Sequence, residues 1–353
     1  MEKQVNVVGA GTAGLLLAGI VAKNWIEVNV YDRKKIPAYP PSASGILSIK
    51  GLDSTGIDYK KAVINTLYGA RIHAGSKTLF VSSKEPKAHV VDRILLNKAY
   101  MDFAKKNGAK IVLGKQISEK DLEEMKQGII VGADGALSTV SRYFRMGYVK
   151  KYVVTYRAEY ISNNDEKSVD IYLDPEVAPG FFAWICPLSK RKIEAGIGIE
   201  TMGNARSAFE KFINKYAGWL NEKRQTGAYA SIIPLISRKK IVDEKNRVLL
   251  VGDAAGQVKA STGGGVVLGS KGAMLAARAI VENISRNTSL EAYEKQFRKR
   301  FGMDMRLHEL IHSFYADSSE KMLEFKIGIL KKLGIEKVLS RHGDMDSPTV
   351  MLK

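Results

Sequence analysis

Residues 5–33, VNVVGAGTAGLLLAGIVAKNWIEVNVYDR, decide the fold of this chain. Val5 to Val8 form a short, largely β-branched run that is typical of a buried parallel strand. Leu15 to Val21 are apolar enough for a buried helix, and Glu27 to Tyr31 predict a second strand. Between the first strand and the helix, three glycines follow the pattern G-x-G-x-x-G: Gly9, Gly11 and Gly14. The stretch therefore predicts the βαβ start of a Rossmann-like α/β domain.

The glycine turn is suited to a dinucleotide. Gly9 permits the tight turn, Gly11 lets the backbone approach a pyrophosphate, and Gly14 lets helix and strand pack closely. Free N–H groups and the helix dipole favour an anion at the helix start. Asp32 ends the second strand 18 residues after Gly14, where its carboxylate can accept ribose hydroxyls. An acid there disfavours the 2′-phosphate of NADP and leaves FAD and NAD open.

Composition sets limits on partners and location. The chain has 353 residues, with 55 Lys and Arg against 37 Asp and Glu, a net charge of +18. Such an excess of positive charge suits binding to nucleic acid, to an anionic membrane surface or to a phosphorylated substrate. The alternative is a lysine-rich surface that is only solvated. Cys186 is the single cysteine, so an internal disulfide is excluded, as suits a reducing cytosol. No run of about 20 uncharged apolar residues is present. We expect a cytoplasmic protein, peripheral at the cytoplasmic face of the membrane if it acts on lipids.

The sequence pattern changes after Lys151, where short alternating strands replace the α/β pattern. A buried parallel strand returns at Arg247 to Gly252, and helices then dominate. These changes predict an antiparallel sheet inserted in a discontinuous nucleotide-binding domain, followed by a helical C-terminus. The predicted parts are 1–65, 86–150 and 241–290 for the nucleotide-binding domain, 66–85 and 151–240 for the antiparallel-sheet substrate domain, and 291–353 for the C-terminal helical region.

Three segments resemble the flavoprotein superfamily of p-hydroxybenzoate-hydroxylase-like enzymes. They are the glycine turn with Asp32, GIIVGADGALSTVSRYF at 128–144 and VLLVGDAAGQVKASTGGGVVLGSKGAMLAA at 248–277. Their order and spacing agree with that superfamily over residues 1 to 285. The resemblance implies that the cofactor is FAD.

Residues that match these motifs are the expected FAD contacts. Asp134 follows a strand, Asp253 is placed to accept a ribityl hydroxyl, and Arg93 matches a position where the superfamily often has an FAD-contacting arginine. Their alternative roles are a helix-capping acid, a turn acid and a surface cation, in that order. The full predicted set is Gly9, Gly11, Ala13, Gly14, Asp32, Arg33, Arg93, Asp134, Gly252, Asp253, Gly263, Gly264 and Gly265.

A fourth segment, PGFFAWICPLSKRKIEAGIG at 179–198, is similar to a substrate-cavity motif of geranylgeranyl reductases. In that motif, P-x-x-Y-x-W-x-F-P precedes V-G-x-G by seven residues. Here Phe182, Cys186 and Ala195 replace its Tyr, Phe and Val. The resemblance implies substrate contacts, whereas a core strand with an aromatic stripe is the plainer interpretation. The implied contacts are Phe181, Phe182, Trp184, Cys186 and Pro187.

The resemblance implies an FAD-dependent reductase that saturates C=C bonds of isoprenoid chains in lipids or diphosphates. Reduced flavin would deliver hydride from N5, and a second group would deliver a proton. Candidates for the proton donor are Ser44, Tyr39 and an ordered water. Many family members have a cysteine in this loop, where the present chain has Ser42, Ala43 and Ser44. The partners implied are the isoprenoid substrate and an external electron donor, either ferredoxin or NAD(P)H.

Two other functions remain open from the sequence. One is an FAD-dependent aromatic monooxygenase that uses NAD(P)H and O2, and the other is a non-catalytic basic flavoprotein that binds membrane or nucleic acid. We expect no nucleic-acid partner, because the charge is dispersed rather than gathered with aromatic residues. We also expect no metal site, and His308 and His312 are predicted to be a solvated or core pair. The amphipathic stretch 321–342 is expected either at a membrane interface or docked on the domain.

Overall fold

The computed structural model describes residues 4–40, 44–147, 149, 151–165, 167–200, 203–220, 224–236 and 238–352. Ser42 and Ala43 lie outside the described residues. The strands are β1 Gln4–Val8, β2 Glu27–Asp32, β3 Ile46–Ser48, β4 Val63–Leu67, β5 Gly69–Ala74, β6 Lys77–Ser82, β7 Ala88–Val91, β8 Lys110–Leu113, β9 Ile129–Gly132, β10 Tyr152–Ile161, β11 Ser168–Tyr172, β12 Ala183–Ser189, β13 Lys192–Ile199, β14 Gln225–Pro234, β15 Val242–Asp243 and β16 Val248–Leu250. The helices are α1 Thr12–Ala22, α2 Ile49–Asp53, α3 Arg93–Lys106, α4 Glu119–Glu124, α5 Thr139–Tyr143, α6 Ala205–Tyr216, α7 Val266–Arg286, α8 Glu291–Ala316, α9 Glu320–Lys332 and α10 Ile335–His342.

A six-stranded sheet has the order β15-β16-β9-β1-β2-β8. Its pairs are parallel except for β15 with β16. Its central strands β1 and β9 are almost fully buried and mainly apolar, apart from Gln4 and Asn6 in β1, because helices cover a parallel sheet on both faces. Helix α1 packs against α3 and α7, so the glycine turn lies where three helices meet one sheet edge. The predicted Rossmann-like α/β fold is confirmed.

A seven-stranded sheet has the order β14-β10-β13-β12-β11-β5-β6. The predicted antiparallel sheet is observed at five of its six strand pairs, and the sixth, β5 with β11, is parallel. These two strands are about a hundred residues apart in sequence, so no tight turn imposes an antiparallel direction on them. The strands come from residues 69–82 and 152–234, inside the two segments assigned to the substrate domain. The domain limits themselves stay a prediction.

A third, antiparallel sheet of β3, β7 and β4 was not anticipated. Residue Gly45 lies against Val91, and a Cβ at Gly45 would be 2.0 Å from the Val91 carbonyl oxygen. This small sheet joins the loop after β2 to the strand that leads into α3. It therefore positions two predicted site segments relative to each other.

The two faces of the seven-stranded sheet have different partners. One face packs against α6 through residues such as Ile193, Ala195 and Phe212. The other face carries Phe182, Trp184 and Cys186 and packs against residues of the C-terminal helices, including Tyr315 and Leu323. This second face is turned toward the predicted site, and we call it the substrate face.

The amphipathic C-terminal stretch forms α9 and α10, which are separated at Gly334, where φ is +70°. Helix α9 packs on β5 and β6, and α10 packs on β6. Docking on the domain, one of the two expected placements, is thus observed. Among the residues that the structure describes, no helix has the length and apolarity needed to cross a membrane.

Candidate active site

The glycine turn is closed by two very tight contacts. Gly9 has φ +113°, and a Cβ there would lie 2.2 Å from the Ala133 carbonyl oxygen. A Cβ at Gly14 would lie 2.2 Å from the Gly9 carbonyl oxygen. At Gly11, by contrast, a Cβ would meet no described atom within 4 Å. The turn is therefore packed on its protein side and open at the residue predicted to face a pyrophosphate.

Asp32 holds this turn in place. Its Oδ2 accepts a hydrogen bond from the Ala10 N–H at 2.8 Å, and its Oδ1 accepts one from the Lys34 N–H at 2.8 Å. Each carboxylate oxygen has a further lone pair for a ligand hydroxyl. Helix α1 begins after Gly11 without a side-chain cap, so its first N–H groups are available to an anion.

The two carboxylate oxygens of Asp134 have different surroundings. Its Oδ2 accepts hydrogen bonds from the Thr139 and Val140 N–H groups at the start of α5, at 2.7 and 3.2 Å. Its Oδ1 is buried and has no hydrogen-bond partner in the described chain. Burial raises the pKa of Asp134, and the Ser138 side chain, followed by backbone N–H donors, opposes this shift. The helix-capping role is thus observed, and the second oxygen is left for another donor.

Arg93 is the first residue of α3, whose N-cap Asp92 accepts from the Ile94 and Leu95 N–H groups. The Arg93 Nη1 is buried, and none of the described residues accepts a hydrogen bond from it. Burial lowers the pKa of Arg93, the charge of Asp253 opposes this shift, and the charge of Arg157 adds to it. Arg93 is therefore not the surface cation that was the alternative interpretation.

Asp253 lies directly after β16, in a 3-10 turn that spans Gly252–Ala255. Burial raises the pKa of its carboxyl, and the charge of Arg93 opposes this shift. Its Oδ1 would be 2.8 Å from a Cβ at Gly265, the residue that precedes α7. Asp253 thus joins the arginine to the glycine-rich segment, as expected for groups that share one ligand.

The three glycines 263–265 connect the two parts of the site. A Cβ at Gly263 would lie 3.4 Å from the Phe181 ring, which precedes β12. A Cβ at Gly252 would lie 3.1 Å from the Ala13 side chain on α1. The glycine turn with the start of α1, the glycine-rich segment and the substrate face are therefore in direct contact.

A cavity of about 470 Å³ opens between α3, the loop after β2 and the substrate face. Predicted residues Arg93 and Tyr39 line it, together with apolar groups such as Ile64, Val90 and Leu188. Tyr39 is 54% exposed, Ser44 is half-buried, and Arg33 is exposed. Arg33 makes no hydrogen bond or ion pair among the described residues, and its FAD contact stays a prediction. We call this cavity the cleft.

The aromatic residues in and just before β12 pack on glycines of β13. Trp184 pairs with Gly196 across β12 and β13, and a Cβ at Gly196 would lie 2.2 Å from the indole. A Cβ at Gly198 would lie 2.4 Å from the Phe181 ring. The two glycines of the family motif are therefore required by the rings that pack on them.

The predicted substrate residues do not all share one surface. Phe182, Trp184 and Cys186 lie on the substrate face, but Pro187 pairs with Ile193, which belongs to the opposite face. Burial raises the pKa of Cys186, and the nearby charge of Glu194 adds to it, so the thiol stays neutral. This suits the small apolar filler that Cys186 resembles.

Phe181 and Phe182 stack with ring centroids 4.2 Å apart and meet Tyr315 of α8 at 6.3 and 6.1 Å. His312 also packs on Tyr315, at 5.3 Å, and its Nε2 lies 2.9 Å from the Gly180 carbonyl oxygen. His308 is buried as well, 2.7 Å from Ser261 Oγ, and burial, followed by the charge of Lys259, lowers its pKa to about 4. The two histidines are thus a core pair. In the described part of the chain, no group of three His, Cys, Asp or Glu side chains could hold a metal ion.

A polar network on the substrate face was missed by the sequence analysis. Glu194 accepts a hydrogen bond from Trp184 Nε1 at 2.9 Å and forms an ion pair with Arg157. Both charged groups line the cleft. The only signal for them was the alternation that places Glu194 on the same face of β13 as Gly196 and Gly198. Arg157, 37 residues away on β10, had none.

The last residues of the chain reach back to the glycine-rich segment. Lys259 Nζ donates to Asp346 Oδ1 at 2.6 Å and to the Met345 carbonyl at 2.9 Å, and both charged side chains are buried. The other Asp346 oxygen accepts from Ser48, the N-cap of α2. Burial acts to raise the pKa of Asp346, but Lys259 and Ser48 outweigh it, and the pKa is lowered. We call residues 343–352 the C-terminal strap.

Residues 150–236 match the family model described as geranylgeranyl reductase catalytic domain. An uncharacterized protein of Methanocaldococcus jannaschii is 27% identical to this chain, over 98% of the chain and 92% of its own length. The digeranylgeranylglycerophospholipid reductase of Methanosarcina acetivorans is 25% identical, over 95% of the chain and 90% of its own length.

Two solved structures show the same fold. A geranylgeranyl bacteriochlorophyll reductase-like protein of Thermoplasma acidophilum has a TM-score of 0.81 at 20% identity, covering 99% of this chain and 94% of its own. PqsL of Pseudomonas aeruginosa, a probable FAD-dependent monooxygenase, has a TM-score of 0.69 at 14% identity, covering 93% and 99%. The family match covers β10 to β14, the strands that carry most of the substrate face. Together with the motifs, these findings confirm that the chain resembles FAD-dependent oxidoreductases of the geranylgeranyl reductase type.

Proposed function

We propose that this chain binds FAD and uses the reduced flavin to saturate C=C bonds of isoprenoid chains in geranylgeranylated lipids or diphosphates. The observation that carries the proposal is a pair of orphaned buried atoms beside the open glycine turn. Arg93 Nη1 is a donor and Asp134 Oδ1 an acceptor, and in the described chain neither has a partner. Buried polar groups are normally paired, so a polar ligand that reaches both explains them.

We call the space between the glycine turn, Arg93, Asp134 and Asp253 the crevice. Its residues would contact successive parts of a dinucleotide. Asp32 would accept the ribose hydroxyls, and the turn at Gly11 with the start of α1 would hold the pyrophosphate. Asp253 would accept a ribityl hydroxyl. The helix start at Gly265 would stabilise negative charge on the flavin ring.

The cleft beside this crevice would hold an alkene chain. Apolar residues such as Ile64, Val90 and Leu188 line it, together with the charged residues Arg157 and Glu194. Reduced FAD supplies the hydride when it is bound. The buried rings of Phe182 and Trp184 are not among the residues that line the cleft, but Trp184 donates a hydrogen bond to the lining residue Glu194. Aromatic rings near the cleft can stabilise positive charge developing on a carbon. The similarity to a digeranylgeranylglycerophospholipid reductase supports a lipid substrate.

The function is tested by reducing the FAD-loaded protein anaerobically with dithionite and adding a geranylgeranylated glycerophospholipid or geranylgeranyl diphosphate. Flavin reoxidation with product masses that rise in steps of two hydrogens would support the proposal. If no isoprenoid reoxidises the reduced flavin, but the protein turns over with O2, NAD(P)H and a phenol, the monooxygenase is favoured. Binding of FAD with neither reaction would favour the non-catalytic alternative. Replacing dithionite by ferredoxin or by NAD(P)H identifies the electron donor.

The C-terminal helices supply a surface suited to an anionic membrane. Helix α8 exposes Leu310 and Phe314, and α9 exposes Phe325 and Ile329 on the side away from its buried residues. Lys326 links the two helices, since its Nζ donates to the Phe314 carbonyl at 2.8 Å. Exposed lysines flank this apolar face: Lys321, Lys331, Lys332 and Lys337. An apolar strip bordered by cations favours the interface of anionic lipids.

Membrane association is tested by sedimentation with vesicles that contain anionic lipid. Replacing both Phe325 and Ile329 by Ser is expected to lower the bound fraction severalfold, because burial of their apolar area contributes to binding. Trp25, which is 99% exposed and lies after α1, is the matched control. Equal binding of the double variant, the Trp25→Ser variant and the unaltered protein would contradict this placement.

A further inference from the structure

The cleft proposed to hold a hydrocarbon has two buried charges in its wall. The side chains of Glu194 and Arg157 are 3% and 6% exposed. A buried ion pair costs desolvation and is often no more stabilising than apolar residues of similar volume. Packing alone therefore does not account for these charges, and their position in the cleft indicates a chemical role.

One guanidinium lies between two carboxylates. Arg157 pairs with Glu194 and also lies 3.6 Å from Glu159. Glu159 and Glu194 stand directly opposite each other on β10 and β13. Residues paired in this way have Cβ atoms about 5 Å apart. Glu159 has a second, partly exposed cation in Lys192, whereas the ion pairs of the described residues give the more deeply buried Glu194 only Arg157, which it shares with Glu159. This arrangement favours a proton on Glu194 rather than on Glu159.

The groups that face Glu194 come from four elements. They are Arg157 and Glu159 on β10, Trp184 and Cys186 on β12, Tyr229 on β14 and Arg93 on α3. Burial raises the pKa of Glu194, and Glu159 adds to this, while Arg157 and the Trp184 N–H oppose it. The same two donors would stabilise the carboxylate once its proton has left.

We propose that Glu194 is the proton donor of the alkene reduction, an inference that rests on the proposed function. The proton of the Glu194 carboxyl bonds to one alkene carbon, and the hydride of reduced FAD bonds to the other. The C=C π bond breaks, the alkene is reduced, the flavin is oxidised, and Glu194 is left as a carboxylate held by Arg157 and Trp184.

The proton is then replaced from solvent through Glu159. Glu159 pairs with Lys192 at 2.6 Å, and Lys192 is 41% exposed at the mouth of the cleft. Glu159 thus connects the buried carboxyl to the cleft entrance. It would act after the first turnover, whereas Glu194 would act within it.

Two variants and a control test the inference. In anaerobic single turnovers of FAD-loaded protein, Glu194→Gln is expected to slow substrate-driven flavin reoxidation about 100-fold, because a positioned acid is removed. Glu159→Gln should slow the turnovers after the first more than the first one, because it removes the proposed route for the replacement proton. Glu309→Gln is the matched control, since burial also raises the pKa of Glu309 but it lies on α8 away from the cleft.

The pH profile supplies a second readout. The single-turnover rate constant of the unaltered protein should fall as pH rises through the pKa of Glu194, and this fall should be absent in Glu194→Gln. Should Glu194→Gln fail to fold or to bind FAD, Glu194→Asp, which keeps an acid, should retain a measurable rate with a shifted profile. A flat profile in the unaltered protein would then overturn the inference.

A Glu194→Gln variant that reoxidises at the unaltered rate overturns the inference while leaving the proposed function intact. A large loss in Tyr39→Phe or Ser44→Ala instead would assign the proton to one of those residues. If the unaltered protein reduces no isoprenoid, the proposed function fails, and the inference fails with it.

Discussion

The dinucleotide crevice and the substrate face are built from different kinds of contact. In the crevice, residues of short sequence motifs position the backbone: Gly9 packs on Ala133 after β9, and Asp32 accepts a hydrogen bond from the Ala10 N–H. On the substrate face, side chains from separate strands hold one another, as Trp184 does with Gly196 and Arg157 with Glu194. The crevice follows from short motifs, whereas the face depends on how β10, β12 and β13 pair.

The difference predicts different failures when each region is altered. A change at a tight backbone contact of the crevice should disturb the whole Rossmann-like sheet, because the turn packs on its central strands. A change on the substrate face should be confined to the second sheet and leave the dinucleotide site in place.

Gly9→Val is expected to prevent folding, with a loss of about 4 kcal/mol or more in the free energy of unfolding. A Cβ there would lie 2.2 Å from the Ala133 carbonyl oxygen, and φ is +113°, which a β-branched residue does not tolerate. Soluble yield and circular dichroism measure the effect. Recovery of a native spectrum at normal yield would show that the turn is less constrained than described.

Gly196→Ala is expected to destabilise the protein by about 3 kcal/mol through overpacking against the Trp184 indole. Urea unfolding measures this, with Gly302→Ala on α8 as the control, since a Cβ at Gly302 meets no described atom within 4 Å. The folded Gly196→Ala fraction should still bind FAD. If FAD binding is lost while the stability is unchanged, the two regions are not separable in this way.

Asp346→Asn is expected to cost about 3 kcal/mol at neutral pH, because Lys259 is left buried without its countercharge. The pKa of Asp346 is lowered in the folded state, so its contribution is present above the unfolded pKa of about 3.9 and is lost as pH falls through the folded pKa. Urea unfolding at several pH values should show the gap between the two proteins closing in acid. A gap that is equally large in acid would mean that the charge of Asp346 is not its source.

Gly11→Ala is expected to leave the stability of the protein without cofactor unchanged and to weaken FAD affinity about tenfold, or about 1.4 kcal/mol. A Cβ at this residue meets nothing in the described chain, so only a ligand in the turn would contact it. Thermal unfolding without FAD and fluorescence titration with FAD measure the two quantities. Unchanged affinity would place the pyrophosphate elsewhere.

Elements that depend on local sequence could be predicted, whereas elements that depend on pairing between distant strands could not. The βαβ start and the buried strand at 247–252 were predicted because each depends on neighbouring residues. The parallel β5–β11 pair and the three-stranded sheet were not, because pairing between distant segments leaves no local pattern.

The same holds within the site. The residues expected to contact FAD could be named from motifs, whereas the Arg157–Glu194 pair depends on strand register alone. Pro187 was grouped with the aromatic residues because it is near them in sequence. The alternation of β12 places it at the register of the opposite face.

Equilibrium titration of the cofactor-free protein with FAD, and separately with NAD⁺, tests the central claim most directly. Asp32 and the glycine turn alone would suit either nucleotide, whereas Arg93, Asp253 and the glycines at 263–265 are proposed to contact the flavin side of FAD. We expect about one FAD bound per chain and much weaker binding of NAD⁺. Tight binding of NAD⁺ without FAD, or no binding of either, would contradict the assignment of this crevice to a flavin.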